Sequence, residues 1–98
     1  MGMPMNDWSG YVADWRKRKG FTTSWSNMME KLMLVVTEVS EAAEAYRKED
    51  RENFSEEIAD CFIRLYDICG SIGIDIEAEI EKKMEKNEGR SIRHGKIC

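Results

Sequence analysis

The chain is poor in the residues that several common architectures require. It has one histidine, His94, and three cysteines that form no CxxC pair. With no second histidine and no paired cysteines, a structural zinc site is not expected. The single histidine also leaves a carboxylate-bridged di-iron bundle without the Glu-x-x-His pairs that such bundles use. The only proline, Pro4, precedes the first helical pattern. No segment alternates apolar and polar residues as a half-buried strand does, and there is no internal repeat or low-complexity stretch. No apolar run is long enough to cross a membrane. Met1 to Met5 is too short for a signal peptide and lacks its apolar core. Cys61 and Cys69 fall on an apolar stripe and read as reduced core residues, and Cys98 reads as a free terminal thiol. A cytoplasmic setting is expected.

What remains is an acidic, helix-patterned chain of 98 residues with a net charge of −4. That length makes one domain, residues 1–98, with a modest core, and domains of this size often gain by oligomerising. The net charge argues against general binding to nucleic acid. Its distribution is uneven: residues 82–98 hold six Lys or Arg against two Glu, so the acid excess lies in residues 1–81. An acidic bundle with a basic tail suits a metal-plus-phosphate site. A solvated tail that aids solubility explains the charge alone equally well.

Four helices are predicted, at about 7–19, 25–48, 53–72 and 75–87, followed by a tail over 89–98. Asn6 or Asp7 is expected to cap the first, and Gly20 to end it. Asn27 with Glu30, and Asn53 with Glu56, resemble capping boxes for the second and third. Gly73 ends the third, Asp75 caps the fourth, and Gly89 ends it. The fold class is all-α, a four-helix bundle-type domain. The second helix also carries Leu34 and Ala45 away from its main apolar stripe. A helix apolar on more than one side usually meets more than one partner, which points to a homo-oligomer.

Two acidic pairs, Glu38 with Glu41 and Glu57 with Asp60, carry the chemistry. Each is spaced i, i+3 beside an apolar stripe, and carboxylates near a core need compensation. At 100° per residue, Glu38 and Glu41 lie about 100° and 160° from the centre of the stripe Leu32, Val35, Val36, Val39, Ala43 and Tyr46. Glu57 and Asp60 lie about 90° and 150° from the stripe Phe54, Ile58, Cys61, Phe62, Leu65, Cys69 and Ile72, in the same rotational sense. The short polar link at Glu49 to Asn53 makes the two helices antiparallel neighbours. With the stripes facing each other, all four carboxylates project from one side of the hairpin at one height. Four converging carboxylates suit a hard cation such as Mg²⁺. Arg64 and Asp67 lie on the acidic side of the third helix and are expected to satisfy each other at i, i+3. Phe21 and Trp25, in the connector before the second helix, either stack on a base or cover the end of the bundle. Trp8 and Trp15 read as core or interface residues.

The runs TEVSEAAEAYR, EEIADCFIRLYD, GID and KKMEKNEGRSIRHGK, in that order over roughly residues 20–96, resemble the MazG-like all-α nucleotide pyrophosphohydrolases. The resemblance implies a Mg²⁺-dependent enzyme, with Mn²⁺ as a substitute. Such enzymes cleave nucleoside triphosphates between the α and β phosphates to a monophosphate and pyrophosphate, acting as homodimers or homotetramers in a house-cleaning role. It implies Glu38, Glu41, Glu57 and Asp60 as metal ligands. Lys83, Asn87 and Arg90 become the groups that meet the phosphates or complete the metal site, although Lys83 and Arg90 alone would read as partners of nearby glutamates. Glu41 is the expected catalytic base. Many relatives carry a doubled acid where Thr37 stands here, which leaves the number of metal ions open. The alternatives are a dedicated pyrophosphatase for dCTP, dUTP or phosphoribosyl-ATP, and a non-catalytic helical module that binds nucleotide or metal.

Overall fold

A computed structural model of the chain describes residues 2–89. It contains α1 (Met5–Arg18), a short 3₁₀ turn (Trp25–Asn27), α2 (Met28–Arg47), α3 (Arg51–Ile72) and α4 (Ile76–Glu88), with no strand among the described residues. None of the described helices is long and apolar enough to cross a membrane. The helix ends follow local hydrogen bonding. Asp50, not Asn53, caps α3, its Oδ1 accepting the Asn53 amide at 3.0 Å. Asp75 caps α4 in the same way through the Ala78 amide, and Gly73 ends α3 at φ 76°, a left-handed conformation natural to glycine. The α2–α3 turn places Glu49 at φ 57°, which costs a non-glycine residue about 1 kcal/mol.

Asn6 departs most from expectation. Pro4, not Asn6 or Asp7, stands at the start of α1. Asn6 instead reaches across the chain to α4. Its Oδ1 accepts the Ile76 amide at 3.1 Å, its Nδ2 donates to Asp75 Oδ1 at 2.9 Å, and its own amide donates to Glu77 Oε2 at 2.7 Å. A side chain from another helix thus satisfies first-turn amides that α4 cannot satisfy within itself. With its cap amide and Asn6 both donating to it, the Asp75 carboxyl is held below its ordinary value.

The core is organised around α3, which packs against α1 on one side and α2 on the other, while α4 touches the chain mainly at the start of α1. The α1–α3 contact depends on Gly70. A Cβ there would overlap the Ser9 carbonyl oxygen and lie 2.8 Å from the Ala13 Cβ, so only glycine lets the two backbones approach this closely. Behind that contact a polar network fixes the connector: Asp67 accepts from Thr23 at 2.6 Å and Ser71 at 3.1 Å, and pairs with Arg16 at 3.5 Å. Arg16 also lies 4.4 Å over the Phe21 ring. The expected Arg64–Asp67 pair is therefore not made; Asp67 serves α1 and the connector, and Arg64 turns to α2.

The two long stripes do not face each other. Buried side chains of α2 are Lys31, Glu38, Ala42 and Ala45, a face turned about 100° from the Leu32–Tyr46 stripe. Small residues allow α2 and α3 to close through this seam. Leu32, Val36, Val39 and Tyr46 of α2, and Phe54, Ile58, Phe62 and Leu65 of α3, remain exposed. No large side chain among the described residues is fully buried. The buried apolar residues are Val12, Ala42, Ala45, Cys61, Ile68 and Cys69, a small core for a chain this long.

Candidate metal centre

The seam between α2 and α3 brings the acids together. Glu38, Glu41 and Glu57 each offer a carboxylate oxygen, and these oxygens lie within 4.8 Å of one another. Asp60 is the next acid on α3, near enough for its charge to raise the Glu57 carboxyl. The four stand differently in the wall. Glu38 is buried, Glu57 and Asp60 are half-buried, and Glu41 faces solvent. Helical spacing explains the order, since Glu38 sits on the α3-facing side of α2 and Glu41 about 60° further round toward solvent.

Bringing these charges together has a cost that two features offset. The Glu57 carboxyl is pushed up from 4.5 to about 7, first by loss of solvent and then by the Glu41 charge, the Asp60 hydrogen bond and the Asp60 and Glu38 charges. Glu38 is compensated by Arg64, whose Nε lies 3.2 Å from Glu38 Oε2 across the seam. Cys61 lies behind the cluster, and its thiol is pushed up by burial and then by Glu38, Asp60 and Glu57. Cys61 and Cys69 are buried free thiols.

The donor set fits a hard divalent cation. Octahedral Mg²⁺ at ~2.1 Å from its ligands places adjacent donors about 3 Å apart and opposed donors about 4.2 Å apart. Three carboxylate oxygens within 4.8 Å can meet that geometry with side-chain adjustment alone. All-oxygen ligation disfavours softer ions.

The basic group is placed otherwise. Lys83 is exposed on α4. Asn87 is buried; its Nδ2 lies 3.8 Å from Met84 Sδ, and its Oδ1 has no hydrogen-bond partner. No ion pair or hydrogen bond among the described residues joins either to the carboxylates. Arg90, with Arg93, His94 and Lys96, lies outside the described residues. Phe21 and Trp25 are both exposed, so neither closes the end of the bundle. An open cleft of about 430 Å³ lies beside Phe21, Thr22, Thr23 and Ser71, away from the acids. Chemistry rather than concavity marks the metal centre.

Arg64 is the neighbour of the cluster whose partner spacing misassigned. At 100° per residue it falls between Glu57 and Asp60 around α3, on the acidic flank. The signal was its angle; the partner was hidden because it lies on another helix.

Residues 27–97 match the MazG-like family, and the chain belongs to that family. The family is typically metal-dependent, and membership suggests a nucleotide pyrophosphohydrolase-type function. No curated protein and no solved structure matches the chain.

Proposed function

We propose that the protein is a Mg²⁺-dependent nucleoside triphosphate pyrophosphohydrolase, cleaving (d)NTPs between the α and β phosphates to a monophosphate and pyrophosphate in a house-cleaning role. The observation that carries this reading is the convergence of Glu38, Glu41 and Glu57 from two antiparallel helices, with Asp60 beside them, in a MazG-like chain. Glu38, Glu41, Glu57 and Asp60 hold the cation, with Mn²⁺ able to substitute. Bound there, the cation supplies positive charge for phosphate oxygens and acidifies an attacking water. Without it, four carboxylates would repel a triphosphate.

The chain's own groups divide the remaining work. Glu41, the most exposed of the cluster, accepts the proton of the attacking water. Glu57 must give up its proton before it can ligate, so metal binding weakens as pH falls below about 7. Lys83, Asn87 and Arg90 take the phosphate end of the site, as the resemblance to the family implies. There they meet phosphate oxygens, Arg90 bidentately and Lys83 as a point charge.

The same reading includes a second copy of the chain. The acid flank is open, and α4 does not close it. The apolar side chains left exposed on α2 and α3 are too numerous for a lone domain. A homodimer, or a homotetramer built from it, buries those apolar side chains. The buried thiols suit a reducing cytoplasm.

The test is pyrophosphate release from a panel of NTPs and dNTPs, with Mg²⁺ and with EDTA. Metal-dependent release with the matching monophosphate is expected, and the panel ranks the bases. Folded protein that binds Mg²⁺ but releases nothing from any nucleotide would replace this reading with a dedicated unusual substrate or a binding module.

A further inference from the structure

We propose that Arg64 is the internal counter-cation of the metal-free cluster, holding the Glu38 carboxylate until a divalent cation takes its place. The inference rests on the metal reading above and concerns what the chain does without metal.

Glu38 is 8% exposed, so its charge requires a partner. Among the described residues that partner is Arg64, at 3.2 Å across the seam. The other acids near Arg64 on α3 are already engaged. Asp60 acts on the Glu57 carboxyl, which its charge helps to raise, and Asp67 is held by Thr23, Ser71 and Arg16. The pair is also asymmetric. The Glu38 side chain is 11% exposed and the Arg64 side chain 27%, so the carboxylate is fixed by packing while the guanidinium has a path to solvent. The contact runs through Nε alone and is not the paired fork that makes Arg–carboxylate bonds strongest.

A cation held by Glu38, Glu41 and Glu57 must approach the same carboxylate. It meets a fixed positive charge a few ångströms away, or displaces it. Either way Arg64 opposes metal entry while stabilising the empty cluster. The two consequences have opposite signs, and a merely structural salt bridge would not produce both. Loss of a structural bridge would lower stability and loosen Glu38, weakening metal binding with it.

The experiment compares wild type, Arg64→Met and Arg64→Lys by thermal melting in EDTA and by calorimetric titration with Mn²⁺ alone. Arg64→Met should melt several degrees lower without metal and bind Mn²⁺ more tightly, by on the order of tenfold. Arg64→Lys, which keeps the charge, should return both values toward wild type. Arg64→Gln carries the same expectation as Arg64→Met and replaces it if that variant does not fold. Unchanged or weaker Mn²⁺ binding by the neutral variants, or an unaltered metal-free Tm, overturns the counter-cation role while leaving the metal centre standing. Wild-type protein that binds no Mn²⁺ overturns the metal centre, and Arg64's role falls with it.

Discussion

The two flanks of the α2–α3 hairpin are built from the same pair of helices and left incomplete in opposite ways. One gathers Glu38, Glu41, Glu57 and Asp60 and offsets their charge only in part, with Arg64 and a retained proton on Glu57. The other leaves Val36, Val39, Tyr46 and Phe62 in water. The first lacks positive charge and the second lacks apolar surface. The buried face of α2 is Lys31, Glu38, Ala42 and Ala45, so the helices bury little of their large apolar side chains on each other. A hairpin that buried its large side chains internally would have no area left for assembly.

The flanks should separate under substitution. Glu41→Gln changes the acid flank at its exposed edge, and turnover should fall by about 10²- to 10⁴-fold while Tm and oligomeric state stay as in wild type. A metal-dependent Glu41→Gln enzyme of normal rate would remove Glu41 from the proton-accepting role. On the opposite flank, Val39→Lys should split the proposed homo-oligomer to single chains of 11.4 kDa in sedimentation, leaving helical content intact. A variant that sediments as wild type would place the interface elsewhere.

A smaller effect comes from pH. The raised Glu57 carboxyl favours the protonated form of the folded chain, so in EDTA its contribution to stability is full below about 4.5 and is lost as pH rises to about 7. Metal binding runs the other way. Mn²⁺ affinity should rise by up to about tenfold per pH unit toward 7 and then level, and a flat profile between pH 5.5 and 8 would show that Glu57 is not a ligand. The least perturbing change is Glu49→Gly, which relieves a left-handed residue in the turn. It should raise stability by about 0.5–1 kcal/mol in denaturant melts and alter neither metal affinity nor assembly. A shift in either would mean that the turn sets the register of both flanks.

The sequence made the acid site legible because i, i+3 spacing on two antiparallel helices fixes rotation and height together. Glu38, Glu41 and Glu57 met although the helices pack through a different face than their stripes suggested. That face was misread because Leu32, Val36, Val39 and Tyr46 look like a core stripe whether they meet α3 or another molecule; periodicity reports a shielded face without naming what shields it. Arg64 and Asp67 were paired in anticipation by local spacing, and each found its partner on a different element. Asn6 was read as a local cap and proved to be a distant one. Contacts within one turn could be reasoned from spacing, whereas those that bridge elements needed the fold.

The Asn6–α4 contacts also bear on the order in which the chain acquires its structure. They join residues 69 to 71 positions apart in sequence, whereas α2 and α3 meet across a short turn. Loop closure favours the hairpin first and the distant junction last. α4, with little else to hold it, should then be the earliest segment to exchange its amide protons and the first to open. The helix carrying Lys83 and Asn87 would thus come and go on a rigid acidic base, with its hinge at Gly73 and its latch at Asn6.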